Sequence, residues 1–301
     1  MAFRNKLFDW GVWQSYQSSS EVIGVGNLSV GGTGKTPFIA FLVSKALSEG
    51  QKVAIVSRGY GRETSGLLEV LESSKAQEVG DEPLLLKLKF PEAKIWVCEK
   101  RILGVNEAEK QKVDIVFLDD NFQHRHVKAD FQYMLSKKSN PFFKDYVVPA
   151  GRLREFRVGA KRADCIVFTH SDLEDKDFIY KTAYFSSAKV LFAKHENTEL
   201  EWKQNKVAFD EVLAVSGIAD SSGFIKACKA LSSHVYPLNF GDHHSFDKSS
   251  IEKIAAKHSK LKNPAVICTE KDWVKLKEFE FELKGMAIAV LPVEITIIGN
   301  E

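Results

Sequence analysis

Residues 22–37 read VIGVGNLSVGGTGKTP: a short apolar run, a glycine-rich turn, then Gly34-Lys35-Thr36. The run Val22 to Val25 predicts a strand, and Ile39, Leu42, Val43, Ala46 and Leu47 recur at helical spacing until Gly50 stops them. Glycines let backbone N–H groups converge on an anion, the following helix presents its positive end, and a lysine adds a mobile point charge. Gly31, Gly32, Thr33, Gly34, Lys35 and Thr36 are therefore the expected phosphate cradle of a nucleotide, with Thr36 reaching a magnesium ion. The strict pattern G-x-x-x-x-G-K-[ST] needs glycine at position 29, where this chain has Ser29, so the reading rests on the strand before the loop and the helix after it. The alternative is a glycine turn that binds nothing.

Working outward, residues 52–57 (KVAIVS) form a second expected strand, and strand, helix, strand makes a βαβ unit. It delivers Arg58-Gly59-Tyr60-Gly61-Arg62 past a strand's carboxyl end, the position of ligand loops in doubly wound sheets, although a plain tight turn reads the same way. A polar stretch, 63–79, leads to Gly80-Asp81-Glu82-Pro83 and a new helix. Asp81 and Glu82 suit a helix N-terminus for capping alone, and a carboxylate there can also act as a general base. Residues 93–98 give a third strand, followed by Arg101 in a helical segment. A fourth, 114–118 (DIVFL), ends in Asp119-Asp120, the place for a carboxylate that meets the magnesium shell; a surface turn is the competing reading.

Strands are also expected at 130–135 and 163–169. Between them lies a basic cluster, Arg152, Arg154, Arg157, Lys161 and Arg162 around Glu155, suited to an anionic substrate or a lipid headgroup layer, or else a solvated charged face. His124 and His126 alternate as solvated positions and are discounted as metal ligands. The composition turns acidic and polar over 171–187, which places a domain boundary there, with five further strands at 189–193, 212–216, 235–238, 265–269 and 286–291. The expected fold class is α/β: a P-loop NTPase-like, mostly parallel sheet with helices on both faces over 1–170, plus a second, smaller α/β domain over 171–301 that closes over the active site.

Composition excludes some classes. With 42 Lys plus Arg against 40 Asp plus Glu, no overall field drives nonspecific nucleic-acid binding. Cys98, Cys165, Cys228 and Cys268 are widely spaced and sit mostly in apolar runs, arguing for buried thiols in a reducing compartment rather than a zinc site. No run is long and apolar enough to span a membrane. The first residues carry Phe3, Leu7, Trp10 and Trp13 near helical spacing beside Arg4 and Lys6, which fits an interfacial helix and equally aromatics packed on the protein. In the second half, the loop 240–246 (FGDHHSF) pairs histidines with Asp242 for an acid–base or orienting role, or is simply surface.

Taken together, GNLSVGGTGKTP, SRGYGR, VGDEP, DDNFQHRHVKAD, PAGRLRE, FGDHHSF and TEKDWVKL occur in an order that resembles the tetraacyldisaccharide 4'-kinases, over about positions 21 to 276. The resemblance implies phosphoryl transfer from ATP, with Mg2+, to the 4'-hydroxyl of a tetraacylated glucosamine disaccharide 1-phosphate, forming lipid IVA at the cytoplasmic face of the bacterial inner membrane. It implies Lys35 and the 31–36 backbone on the phosphates, and Thr36 and Asp119 with Asp120 on magnesium. Asp81 matches the catalytic base and His243 its partner, while Asn27, Arg58, Tyr60, Glu82, Arg101, Gln123 and Arg154 would position acceptor or nucleotide. The implied partners are the lipid-linked substrate and a membrane surface, reached peripherally through the aromatic and basic arm. Two departures stand out: members usually begin with a hydrophobic segment absent ahead of this arm, and the strand at 133–135 ends in Ser136-Lys137 rather than an acid. The competing function is a P-loop GTPase or ATPase acting as a switch or metal-insertion factor. Thr169-His170-Ser171-Asp172 resembles the guanine-reading T-K-x-D, without its lysine.

Overall fold

The computed structural model describes residues 2–242 and 244–298. The chain divides into two compact units, residues 1–196 with 294–301, and residues 197–293.

The first unit begins with α1 (Ala2–Asp9) and β1 (Glu21–Asn27). Helix α2 (Lys35–Ser48) follows the glycine-rich turn and buries Phe38, Ile39, Leu42, Val43 and Ala46. Pro37 is tolerated in its first turn, where no intrahelical donor is missed, and Gly50 at φ 79° ends it. Then come β2 (Val53–Ser57), β3 (Leu68–Glu69), α3 (Ala76–Val79), α4 (Asp81–Lys89), β4 (Lys94–Val97), α5 (Arg101–Lys110), β5 (Ile115–Asp119), β6 (Phe131–Lys137), β7 (Cys165–Thr169), α6 (Lys176–Ala183) and β8 (Lys189–Asn197).

The second unit holds β9 (Glu201–Gln204), β10 (Glu211–Ser216), α7 (Ser222–Leu231), β11 (His234–Asn239), α8 (Lys248–His258), β12 (Pro264–Thr269), α9 (Glu270–Leu276) and β13 (Ala287–Leu291). Its sheet runs β11-β10-β12-β13-β9, parallel except for β9. The last strand, β14 (Val293–Ile298), returns to β8 in the first sheet.

The first sheet has the order β14-β8-β7-β6-β1-β5-β2-β4-β3. β1 pairs in parallel with both β5 and β6, and the chain builds outward from it in two directions, so β1 marks the reversal of strand order. Ligands of open α/β sheets bind at the carboxyl ends of the strands around such a point. β2, β5 and β7 are buried along their full lengths, as parallel strands covered on both faces must be. One face packs Val22, Val56, Trp96, Val105, Val116 and Leu118; another cluster is rich in phenylalanine, with Phe142, Phe143, Phe168, Phe178 and Phe192. Each such side chain contributes about 1.5–3 kcal/mol by leaving water.

Three expectations need correction. The boundary lies at 197, not 171: the acidic stretch contains α6, capped by Asp175 on the N–H groups of Asp177 and Phe178, and Phe178 is buried in the phenylalanine cluster. The strand expected to open the second domain, residues 189–193, instead pairs in parallel with β7 and extends the first sheet. The short β3 and α3 within 63–79, and β9 and β14, were not expected, because two-to-six-residue elements with exposed positions carry little periodic signal.

Candidate active site

The phosphate loop is held from beneath. Asn27, fully buried at the end of β1, donates from Nδ2 to Thr33 Oγ1 at 2.8 Å, and Thr169 Oγ1 at the tip of β7 donates to the Thr33 carbonyl at 2.9 Å. Gly34 takes φ 81°, a left-handed conformation costly for any side chain, and a Cβ there would fall 2.7 Å from His195 Nε2. Ser29 has a structural explanation. Residues 28–30 pair with 152–154 as a short antiparallel ladder, with Val30 N–H to Arg152 O at 2.7 Å and Arg154 N–H to Leu28 O at 2.7 Å. Extended backbone accepts a serine, so the strict glycine is not needed. The same ladder fastens Arg154 beside the loop.

At the tip of β5, Asp119 is 5% exposed. Ser57 Oγ at the tip of β2 donates to its Oδ2 at 2.9 Å, and Oδ1 has no hydrogen-bond partner. Burial, then the neighbouring Glu82 carboxylate, push Asp119 up to about 6, against the pull of Lys35. Asp120 sits at φ 49°; Arg154 Nη1 donates to its Oδ1 at 3.0 Å and its Oδ2 at 2.9 Å, and Lys35 Nζ lies 3.4 Å from Oδ1. Burial works the other way, but Lys35 and Arg154 hold Asp120 below the ordinary carboxylate range. A buried carboxylate oxygen without a donor beside the phosphate loop fits a hard cation. Among the described residues no three His, Cys, Asp or Glu side chains form a metal cluster.

The remaining expected residues divide by depth. Arg101 is 3% exposed; its guanidinium donates to the Cys98 carbonyl at 2.7 Å and the Asp119 carbonyl at 3.1 Å, tying the ends of β4 and β5 together. Gln123 is buried, donating to Asn27 O at 2.9 Å and Glu155 Oε1 at 3.1 Å while accepting from Arg154 at 3.2 Å. Asn27, Arg101 and Gln123 thus shape the floor of the crevice from within. Arg58 and Tyr60 are exposed, Tyr60 at 75%. Asp81 and Glu82 are half-buried at the first turn of α4. Gly80, at φ 93°, lets that turn approach the 58–62 loop; a Cβ would meet Tyr60 O at 3.1 Å. His243 lies outside the described residues.

Much of the basic cluster is neutralised internally. Arg162 pairs with Glu155 at 2.7 Å, Arg154 with Asp120, and Arg157 donates to Asp145 O at 2.7 Å and lies over Tyr146. Arg152 and Lys161 stay exposed. His124 is pushed down to about 4, first by burial and then by Arg101, and His126 stacks on Trp13. In the second unit, His244 Nε2 lies 2.8 Å from Ser250 Oγ and its ring stacks on Phe240 at 4.6 Å, fastening the 240–246 loop to α8.

A doubly wound sheet with a phosphate loop at the strand reversal, a lysine leading to paired aspartates and a carboxylate-tipped second helix defines a P-loop phosphotransferase. The family model LpxK, "Tetraacyldisaccharide-1-P 4'-kinase", matches residues 1–301, and the chain belongs to that family. The tetraacyldisaccharide 4'-kinase of Parabacteroides distasonis is 36% identical over 92% of this chain and 80% of its own length. That of Flavobacterium psychrophilum is 36% identical over 100% of this chain and 89% of its own. Among solved structures, an "apo" form of LpxK from Aquifex aeolicus in complex with ATP superposes with a TM-score of 0.77 at 29% identity, covering 98% of this chain and 90% of that one.

Proposed function

We propose that this chain transfers the γ-phosphoryl group of ATP to the 4'-hydroxyl of a tetraacylated disaccharide 1-phosphate, the lipid IVA-forming step of lipid A biosynthesis. The observation that carries the reading is the meeting of Lys35, from the phosphate loop, with Asp120 at 3.4 Å beside the buried Asp119. Phosphoryl transfer demands mainly positioning and charge stabilisation. The 31–36 backbone and Lys35 hold the phosphates, and Arg154 keeps Asp120 in place. Thr36 and Asp119, with Asp120 adjacent, would hold Mg2+, which supplies neutralisation of charge on the transferred group. Asp81 takes the proton of the attacking hydroxyl as its oxygen bonds to the γ-phosphorus and ADP departs. His243 as partner of Asp81, and closure of the second unit over the site, rest on the family resemblance. Arg58, Tyr60 and Glu82 border the same crevice and would contact the acceptor.

The described residues contain no helix long and apolar enough to cross a membrane. Trp10, Val12 and Trp13 are 65%, 62% and 41% exposed after α1, which supports peripheral contact with a membrane surface, the cytoplasmic face of the inner membrane by family resemblance.

The test is label transfer from [γ-32P]ATP to the disaccharide acceptor, with GTP and acceptor-free controls. Acceptor-dependent transfer from ATP is expected; acceptor-independent turnover with a preference for GTP would overturn the reading. In Asp81→Ala, kcat falls by ~100 to 10,000 fold with ATP affinity nearly intact, and full activity would remove the base assignment.

A further inference from the structure

Helix α1 (Ala2–Asp9) has eight residues, too few to hold a helix alone in water, so its fold depends on what it docks against. Phe8 supplies an apolar contact: it is buried, with its ring edge-on to His126 at 5.1 Å and to Trp13 at 5.4 Å. Arg125 clasps the helix, donating to Asn5 O at 2.9 Å and to Asp9 Oδ1 at 2.7 Å. Two other polar contacts reach the crevice. The Arg4 guanidinium donates to the Gln123 carbonyl, and Asn5 Nδ2 donates to Glu155 Oε2 at 2.7 Å. These acceptors lie 119 and 150 positions along the chain, in the polar array beside the phosphate loop.

Glu155 is the junction. It is buried and accepts from Asn5, from Arg162 at 2.7 Å and from Gln123 Nε2 at 3.1 Å, the donors that a carboxylate out of water requires. The Gln123 amide has two ends of nearly the same shape, and its partners decide which way round it sits. The Glu155 carboxylate and the Asn27 carbonyl draw the NH2 end, which leaves Oε1 facing Arg154 Nη1 at 3.2 Å. That same Nη1 donates to both oxygens of Asp120, and Asp120 meets Lys35. Reversed, the amide would aim its N–H donors at a guanidinium, which has no acceptor to offer. The orientation of one buried amide thus links the seating of α1 to the carboxylate and lysine of the phosphate site.

We propose that α1 is a positioning element of the phosphotransfer site, in which Asn5 and Arg4 set Gln123 and Arg154, and through them Asp120 against Lys35. The proposal rests on the kinase reading and extends its machinery into the N-terminal arm. Asn5 and Arg4 are positioning residues: their loss slows the bound complex and leaves the affinity for either substrate nearly intact.

The experiment measures acceptor-dependent transfer from ATP by the full chain, resolved into kcat and the two KM values. In Asn5→Ala, kcat falls about tenfold while the KM for ATP and for the acceptor stay within about twofold of the parent's. Asn5→Gln, which keeps the amide donor on a longer stem, recovers kcat to within about threefold. Asp9→Ala loosens α1 only at an exposed ion pair and keeps kcat within about twofold. Glu155→Gln also lowers kcat, and the double variant Asn5→Ala/Glu155→Gln is no slower than Glu155→Gln alone, because Asn5 acts through that carboxylate. An unchanged kcat in Asn5→Ala would overturn the proposal. So would a loss confined to the acceptor KM, which makes α1 a substrate contact, or losses that multiply in the double variant. If the parent protein shows no acceptor-dependent transfer, the kinase reading falls and the proposal with it; with an active parent, those three outcomes overturn the proposal alone.

Discussion

Each of the two sheets is followed by a buried aspartate, Asp119 at the end of β5 and Asp272 in the first turn of α9, and the two have different surroundings. Asp119 follows β5 with Lys35, Arg101 and Asp120 near by, and receives one neutral hydrogen bond, from Ser57. Asp272, fully buried in the first turn of α9, accepts from Thr269 Oγ1 at 2.6 Å and the Gly217 N–H at 3.0 Å, with Lys275 and Lys271 as weaker cationic neighbours. Burial raises both carboxyls above their ordinary range. The second oxygen of Asp272, Oδ1, also lacks a hydrogen-bond partner, and a Cβ on Gly217 would come within 2.9 Å of it. A carboxylate hydrogen-bonded to its own helix cap and to a facing backbone N–H holds a fold together, whereas one set beside the glycine-rich loop and Lys35 is placed for chemistry.

Several variants break or sharpen that contrast. The largest effect is expected from Lys35→Ala, which removes the charge shared by the phosphates and Asp120: kcat/KM falls by on the order of 1,000-fold with the melting temperature little changed, and unchanged turnover would contradict the cradle.

Asp119→Asn separates function from stability. The folded carboxyl titrates at about 6 and the ordinary value is 3.8, so between those values the folded state holds a proton that the unfolded chain has released. Stability therefore falls as pH rises through that window, and the penalty is complete above it. Asparagine abolishes the penalty. At pH 7.5 without nucleotide or Mg2+ the variant melts about 2–6 °C higher than the parent, reflecting ~1–3 kcal/mol, while the difference disappears near pH 4 and phosphoryl transfer is lost. A lower melting temperature at pH 7.5 would show that Asp119 is already compensated.

In Asp272→Ala the Gly217 and Thr269 donors lose their acceptor, costing about 1–3 kcal/mol, read by denaturant unfolding. Turnover assayed well below the melting temperature changes less than tenfold, and a larger loss would give Asp272 a part in the reaction. The smallest effect belongs to Ser29→Gly, which restores the strict loop pattern: activity stays within about twofold, and stability drops by about 0.5–1 kcal/mol because glycine is costlier to hold extended.

The glycine-rich turn between β1 and α2 and the aspartates ending β5 were legible because their signals are local: a glycine run between an apolar strand and an amphipathic helix, and acids at the end of a two-sided buried strand. The motif order, more than any single motif, carried the family. Less legible were the partners of the polar residues at the crevice. Gln123 and Arg101 read as crevice residues, yet their side chains bond to Asn27 O, Cys98 O and Asp119 O, contacts made by residues 18 to 96 positions apart or turned back on a strand end. The acidic run after Ser171 read as a boundary because composition registers charge and not the single Phe178 that docks α6. The stacking of the His170 and His195 rings could not be found at all from spacing, since they meet only because β7 and β8 are neighbours.

The sequence by itself determined the two α/β sheets and placed the glycine-rich turn at residues 31–36 and the carboxylates at 81 and 119 at element ends, because hydrophobic period and glycine placement act within a few residues of the chain. Only the tertiary structure decided that Ser29 lies in a ladder with Leu153, that Arg154 secures Asp120, that β8 belongs to the first sheet and that His170 stacks on His195. Those outcomes depend on which strands become neighbours, and that choice is made by burying whole faces, not by any local preference.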